Sequence, residues 1–155
     1  TLDDLMFETI ADLKVAYELM HTRGTPVTMQ QLSNYDDVVA EVIAFLQKRI
    51  AQLRLLGVTD IIADPGFGFA KTTEQNYRLL NKLSYFTALN TPLLVGLSRK
   101  SMITKALDID TKDALNGTTA ANMLALAGGA SILRVHDVKE ARQAISIFME
   151  YFKQS

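Results

Sequence analysis

Apolar positions follow two alternating patterns along the chain. Short, nearly continuous apolar runs alternate with longer stretches in which apolar residues are three and four positions apart. The short runs predict buried strands, and the longer stretches predict amphipathic helices. Strands are predicted at residues 15–20, 60–63, 93–96 and 130–135.

The helical stretches begin at residues that commonly cap helices. Asn34 is the predicted N-cap of the longest helix. Thr72 with Gln75, and Asp137 with Glu140, have the spacing of a capping box, in which two residues exchange side-chain-to-backbone hydrogen bonds. Helices are predicted over residues 2–13, 34–56, 72–89, 102–107, 112–127 and 137–152.

One helix followed by four strand–helix units predicts an α/β protein with a parallel sheet and right-handed crossovers. Polar clusters follow the last three strands, at Asp64, Lys100 and Arg134, which are separated by 36 and 34 positions. Because parallel strands end at one rim, these residues are expected to share a site. The pattern does not separate half of a (β/α)₈ barrel from a small open sheet.

Composition narrows the class of protein. The 155 residues are 48% hydrophobic and 21% charged, with a net charge of −1 and no Cys. This composition is typical of a soluble domain, gives no basic patch for nucleic acid, and excludes disulfides and thiolate chemistry. The lack of Cys, together with the absence of a signal peptide, favours a cytoplasmic location. No apolar stretch approaches the roughly 20 residues that cross a bilayer. The chain starts at Thr1 without Met and is expected to be a piece of a longer protein.

The first polar cluster follows the second strand. The Asp64 carboxylate can accept two N–H bonds from a guanidine-like ligand edge, such as an aminopyrimidine ring. Gly66 and Gly68 would let the backbone approach a flat ligand, with Phe67 and Phe69 as apolar walls. The alternative is a tight turn in which Asp64 binds local N–H groups and both phenylalanines are core residues.

The second cluster is Ser98-Arg99-Lys100-Ser101, which places two cations and two hydroxyls before a helix. Such a group suits an anion or a polarised ring carbonyl. Gly96, just before it, favours close ligand approach. The alternative is a solvated basic loop in which Ser98 or Ser101 caps the helix.

The third cluster holds Arg134 and His136, which face the same side of an extended strand because they are two positions apart. With the start of a helix at Asp137, they indicate a phosphate or pyrophosphate site. The alternative is a salt-bridged arginine beside a structural histidine. His21 is predicted to be structural or to support the residues of the site. Two histidines without clustered carboxylates give no zinc-type site.

Together these motifs resemble dihydropteroate synthases. The resemblance is carried by Asp64-Pro-Gly-Phe-Gly-Phe-Ala-Lys71, Leu94-Val-Gly-Leu-Ser-Arg-Lys-Ser-Met102 and Arg134-Val-His-Asp-Val138, with Leu19-Met-His21 and Gly24-Thr-Pro26 upstream. It implies a TIM (β/α)₈ barrel, of which residues 1–155 would form one partial domain: the carboxyl-terminal half, with strands five to eight. Ala70 stands where many relatives have Gly.

The resemblance implies a transferase of folate biosynthesis. In that reaction p-aminobenzoate displaces pyrophosphate from 6-hydroxymethyl-7,8-dihydropterin pyrophosphate to give 7,8-dihydropteroate. Lys100, Arg134 and His136 are then the expected catalytic residues. The implied binding residues are Met20, Asp64, Gly96 and Lys100 for the pterin, Phe69, Ser101 and Lys100 for p-aminobenzoate, and Arg134 and His136 for pyrophosphate.

The family's first four strands have no counterpart in this sequence. The resemblance implies a Mg²⁺ cofactor whose protein ligand lies in that missing part, so no metal ligand is expected in this chain and the fragment is expected to be inactive alone. It also implies a sulfonamide target, although the sequence does not reveal sensitivity. A methyltetrahydrofolate-binding methyltransferase domain is the alternative enzyme. A noncatalytic half-barrel that self-associates through its open strand edges is the alternative of another class.

The expected partners are small-molecule substrates and further copies of the chain as a homo-oligomer. Neither nucleic acid nor a membrane is expected as a partner.

Overall fold

The computed structural model describes residues 5–25 and 27–153. Within these two ranges, helix α1 comes first and four strand–helix units follow, which confirms the predicted order of elements. Three 3₁₀-helices join them in the same ranges, at Met29–Leu32, Leu83–Leu89 and Thr111–Asp113. The elements are α1 (Met6–Leu13), β1 (Tyr17–Met20), α2 (Val38–Leu55), β2 (Ile61–Asp64), α3 (Thr73–Asn81), β3 (Leu94–Val95), α4 (Ser101–Leu107), α5 (Leu115–Ala127), β4 (Ile132–Leu133) and α6 (Val138–Phe152). The part of the first helix predicted before residue 5, and Pro26, lie outside the described residues.

The strands run parallel, as predicted. β1 pairs with β2, with Met20 opposite Asp64, and β3 pairs with β4, with Leu94 opposite Ile132. A parallel bridge between Ala63 and Leu93 joins the two pairs, so the order in space is β1-β2-β3-β4. All four carboxyl ends therefore open at one edge.

Alternation along the strands separates the core from the site. Leu19, Ala63 and Val95 are almost fully buried in the hydrophobic core beneath the helices. Successive strand residues point to opposite faces, so Met20 and Asp64, one position later, face the other way. The helices thus cover one face, and the chemistry-bearing side chains point from the opposite face.

The long second helix starts later than predicted. Its N-cap is Asp37, whose Oδ1 accepts hydrogen bonds from the N–H groups of Val39 and Ala40 at 2.9 and 3.1 Å. The Asn34 N-cap prediction was wrong because Asn34 precedes the helix in an irregular segment, where its carbonyl accepts a hydrogen bond from Arg23. The amphipathic character predicted for this helix is confirmed. Five of its apolar residues, three or four positions apart, are buried: Val38, Val42, Leu46, Ile50 and Leu53.

The stretch predicted as one helix over residues 72–89 is two elements. The capping box of Thr72 and Gln75 is present and opens α3, but the chain tightens into a 3₁₀-helix after Asn81. Leu83, Phe86 and Leu89 are all buried at a spacing of three. Three residues per turn aligns these side chains on one side of a 3₁₀-helix.

In residues 5–25 and 27–153, the helices are all too short or too polar to traverse a lipid bilayer.

Candidate functional site

A cavity of about 490 Å³ opens at the carboxyl edge of the sheet. Residues from the ends of β1, β3 and β4 and from the loop after β2 line this cavity. The lining residues are Glu18, Met20, Phe69, Gly96, Ser98, Lys100, Arg134, Val135 and His136. The predicted convergence of distant clusters is thus seen in the structure. A larger groove of about 1250 Å³ lies among the outer helices, away from these strand ends.

Asp64 is buried and is connected to the cavity by its hydrogen bond to Arg134. Its side chain is 1% exposed, and its Oδ1 accepts a 2.7 Å hydrogen bond from the Gly66 N–H. Its Oδ2 accepts a 2.8 Å hydrogen bond from Arg134 Nη2. Both oxygens act as acceptors, the pattern of an ionised carboxylate. Burial raises the pKa of Asp64, while the Gly66 N–H, Arg134 and Lys100 oppose that rise.

Lys100 supplies the second charge. Its Nζ donates to the Phe67 carbonyl and lies 4.9 Å from the centre of the Phe69 ring. Burial lowers the pKa of Lys100 to about 8, and nearby Asp64 partly offsets this effect. A mostly protonated ammonium at neutral pH can attract an anion or polarise a ring carbonyl.

The predicted second cluster divides into separate roles. Ser101 is the exposed first residue of α4 and is not among the cavity-lining residues, although sequence reasoning placed it beside the ligand. Neither Ser98 nor Ser101 caps the helix, because the N-cap is Lys100 and no side chain bonds there. Ser98 Oγ instead accepts from the His136 N–H at 3.2 Å and lies 2.9 Å from His136 Nδ1. Ser98 therefore orients His136, a role that the sequence did not reveal.

Arg99 stabilises the loops rather than facing the cavity. Its guanidinium forms a bidentate pair with Asp137 at 2.8 and 2.9 Å and also donates to the carbonyls of Thr111 and Lys112. The capping box predicted for Asp137 and Glu140 is wrong, since the Asp137 side chain makes no cap bond. Both of its oxygens are engaged by Arg99, which joins the loop after β3 to the start of α6.

The glycine-rich loop after β2 is a tight turn. Gly66 has φ +69°, and a Cβ there would lie 1.9 Å from the backbone oxygen of His21. Close backbone packing therefore requires this glycine. Of the two predicted apolar walls, Phe67 is fully buried in the core and Phe69 lines the cavity.

Lys71 is a buried residue whose role sequence reasoning missed. Its Nζ lies 2.9 and 3.0 Å from the carbonyls of Gly66 and Phe69 and 3.0 Å from His21 Nδ1. Burial lowers the pKa of Lys71 to about 7, and burial together with nearby cations lowers that of His21 to about 3. His21 is structural, as predicted, and the pair fixes the loop that carries Phe69.

The part of the chain described by the structure contains no group of three or more His, Asp and Glu side chains that could hold a metal ion. Asp64 and Glu18, the two carboxylates at the cavity, are both paired with Arg134. These residues do not fit a magnesium centre.

A parallel α/β sheet whose carboxyl edge presents a buried carboxylate, an ammonium and a guanidinium has the chemistry suited to a polar, partly anionic small molecule. The family model of pterin binding enzymes matches residues 1–136, and the chain belongs to that family. The resemblance to dihydropteroate synthases is confirmed.

Relatives share both sequence and fold. The dihydropteroate synthase of Escherichia coli K12 is 43% identical over 142 residues, which is 90% of this chain and 50% of that protein. The fold matches Thermus thermophilus dihydropteroate synthase in complex with 4-aminobenzoate, with a TM-score of 0.92 and 39% identity over 97% of this chain and 62% of that one. It also matches the Yersinia pestis synthase in a sulfonamide drug complex, with a TM-score of 0.92 and 36% identity over 96% and 55%. The chain spans about half the length of the curated relatives it matches.

Proposed function

We propose that the chain is the carboxyl-terminal half of a dihydropteroate synthase and supplies strands five to eight of a (β/α)₈ barrel. The parallel order β1-β2-β3-β4 and the match to half the length of relatives support this proposal. Residues 1–155 would then form one partial domain. The remaining strands would come from sequence outside this chain.

The proposed reaction joins p-aminobenzoate to the pterin. The amine nitrogen forms a bond to the methylene carbon of 6-hydroxymethyl-7,8-dihydropterin pyrophosphate and loses a proton. The carbon–oxygen bond breaks, and its electron pair leaves with pyrophosphate. No protein nucleophile is needed, so the protein's contribution is to orient two flat substrates and stabilise the departing anion.

The cavity residues suit these tasks. Asp64 would accept hydrogen bonds from the pterin's guanidine-like edge, beside Met20 and Gly96. Lys100 and Phe69 would lie between the pterin and p-aminobenzoate, with Ser101 at the outer end of that site. Pyrophosphate would lie against Arg134 and His136. The observation that carries the proposal is that Arg134 and Lys100, from separate segments, line one cavity, while Asp64, from a third segment, accepts a hydrogen bond from Arg134.

The cofactor and partners follow from the same proposal. The protein ligand for magnesium would lie in the half of the barrel that this chain does not supply. A homo-oligomer of the complete protein, sensitivity to sulfonamides and a cytoplasmic location also belong to the proposal. The Yersinia pestis complex supports the sulfonamide expectation, because the fold that binds that drug is shared.

Synthase assays on the complete protein test this function. Lys100→Ala should weaken binding of the pterin substrate, and Arg134→Ala should chiefly weaken binding of its pyrophosphate, each by about tenfold or more, because each removes a charge-assisted hydrogen bond. Lys105→Ala, on the exposed side of α4, is the matched control. Unchanged kinetics in both site variants would reject the assignment.

Two further measurements separate the alternatives. This chain alone should show no turnover, and measurable turnover would contradict the half-barrel proposal. The complete protein should bind pterin pyrophosphate more tightly than methyltetrahydrofolate, because Lys100, Arg134 and His136 serve an anionic leaving group. The reverse order of affinities would favour the methyltransferase domain.

A further inference from the structure

Arg134 is shared between two carboxylates. Its Nη2 donates to Asp64 Oδ2 at 2.8 Å, and its Nη1 donates to Glu18 Oε1. The Asp64 side chain is 1% exposed, whereas those of Glu18 and Arg134 are 36% and 45% exposed. Asp64, at one end of this chain of ion pairs, is therefore buried, whereas Glu18, at the other end, faces the cavity.

Glu18 belongs to the cavity by its place in the sheet. It lies two positions before Met20 in β1, and alternation directs both side chains to the face opposite the core. Its cross-strand neighbour is Ile62, two residues before Asp64. The charge of Glu18 thus lies beside the groups that would bind substrate.

A ligand must compete with Arg134 for Asp64. A guanidine-like ligand edge binds a carboxylate through the same fork of N–H donors as arginine. Asp64 Oδ1 already accepts the Gly66 N–H, and Oδ2 accepts Arg134. Each oxygen can accept a second hydrogen bond, but a fork that approaches both oxygens crowds Arg134 at Oδ2. Displacement of Arg134 towards Glu18 relieves this crowding and leaves the guanidinium with an acceptor.

Resting on the function proposed above, we propose that Glu18 is the positioning residue for Arg134. Glu18 keeps its ion pair with the Arg134 guanidinium when a pterin edge binds to Asp64. It also competes with pyrophosphate for the same guanidinium. Arg134 then exchanges one anionic partner for another during the reaction, and Glu18 helps release the product anion.

This role gives Glu18 opposite effects on the two halves of the substrate. Removing its charge leaves Arg134 with Asp64 as its remaining anionic partner, so the pterin edge displaces Arg134 less readily. The same change removes a negative charge that repels and competes with pyrophosphate. A residue that only stabilises the fold would not shift the two affinities in opposite directions.

The test is calorimetric titration of the complete synthase with two separate probes, 6-hydroxymethylpterin without phosphate and inorganic pyrophosphate. Glu18→Gln should weaken pterin binding and tighten pyrophosphate binding, each by about two- to fivefold, the range of a partly exposed ion pair. Glu18→Asp should return both affinities towards wild type. Glu74→Gln, which removes an exposed carboxylate paired with Arg78 on α3, should change neither.

The background variant Arg134→Ala shows whether Glu18 acts through Arg134. There, Glu18→Gln should no longer weaken pterin binding. Equal affinities in wild type and Glu18→Gln, or equal effects with and without Arg134, would overturn the inference while leaving the proposed function intact. A wild-type protein that binds neither probe would overturn the proposed function and the inference with it.

Discussion

Lys71 is held mainly by neutral acceptors. Two carbonyl oxygens, of Gly66 and Phe69, and Nδ1 of His21 surround its Nζ. Three acceptors match the three donors of an ammonium group. A neutral His21 can supply a lone pair at Nδ1, whereas a protonated His21 cannot. The protonation of His21 is therefore coupled to the loop that carries Phe69.

This coupling predicts a pH dependence of stability. The pKa of His21 is about 3 in the folded protein, against 6.5 as its ordinary value. Between these values the unfolded chain binds a proton that the folded chain excludes, so stability falls as pH falls from about 6.5 towards 3. Exclusion of one such proton changes the free energy of unfolding by at most about 1.4 kcal/mol per pH unit.

His21→Asn should remove this contribution, because Asn does not titrate and its Oδ1 can replace Nδ1. Urea unfolding at several pH values from 4 to 7 (~0.5 unit steps) would measure the slope. His136→Asn provides the matched control. A steep acid slope that survives in His21→Asn and disappears in His136→Asn would contradict the explanation.

At the residue scale, the sequence indicated the charges at the strand ends but not their partners. Asp64, Lys100 and Arg134 were predicted because each follows an apolar run. Glu18 was missed because its partner Arg134 is 116 positions away. Adjacent Arg99 and Lys100 look alike in sequence, yet one binds Asp137 and the other faces the cavity, a difference that only tertiary contacts decide.

At the scale of elements, the loop between β2 and α3 depends on one glycine. In Gly66→Ala the new Cβ would meet the His21 oxygen at 1.9 Å, at a left-handed φ of +69°. The loop must shift, and we expect destabilisation of about 3 kcal/mol or more together with weaker ligand binding.

Gly57→Ala is the matched control for this substitution. Gly57 has φ +84°, but a Cβ there meets nothing within 4 Å. Only the backbone penalty applies, about 1–2 kcal/mol. Denaturant unfolding of both variants measures the difference, and equal losses of stability would contradict the role of close packing at Gly66.

Element order was predictable because helical and strand spacings differ strongly. Element ends were not, because contacts across the molecule decide them. Asp37 rather than Asn34 caps α2, and Asp137 binds Arg99 instead of capping α6. Ala70, noted as a departure from relatives, has φ +50°, a conformation that favours glycine.

At the scale of the whole molecule, the sheet has open edges in the part of the chain described. There, β1 pairs with β2 alone and β4 with β3 alone. Apolar side chains of α6 are also exposed, including Ile147 at 66% and Tyr151 at 70%. Open edges and exposed apolar surface favour association.

The isolated chain should therefore self-associate. Light scattering at tens of micromolar should give a mass above that of one chain, since strand pairing or strand exchange would satisfy the edges. If the chain is half of a barrel, as proposed above, adding a polypeptide with strands one to four should reduce this association. A stable monomer at that concentration would count against the prediction.

The sequence pattern alone left the architecture open at this scale. A half-barrel and a small open sheet share the same alternation of strands and helices, since both are built from parallel units with right-handed crossovers. The curvature that distinguishes them arises from packing of the whole sheet. The family resemblance, not periodicity, favoured the barrel.

The central claim is that Asp64 anchors a pterin in a site shared with Lys100 and Arg134. Its most direct test compares the affinity of the complete protein for 6-hydroxymethylpterin between wild type and Asp64→Asn. The substitution keeps the shape of the side chain, but it removes the negative charge and replaces one oxygen that accepts the ligand's N–H groups with an amide nitrogen. Calorimetry should show binding weakened by about tenfold to a hundredfold. Wild-type affinity in Asp64→Asn would contradict the account.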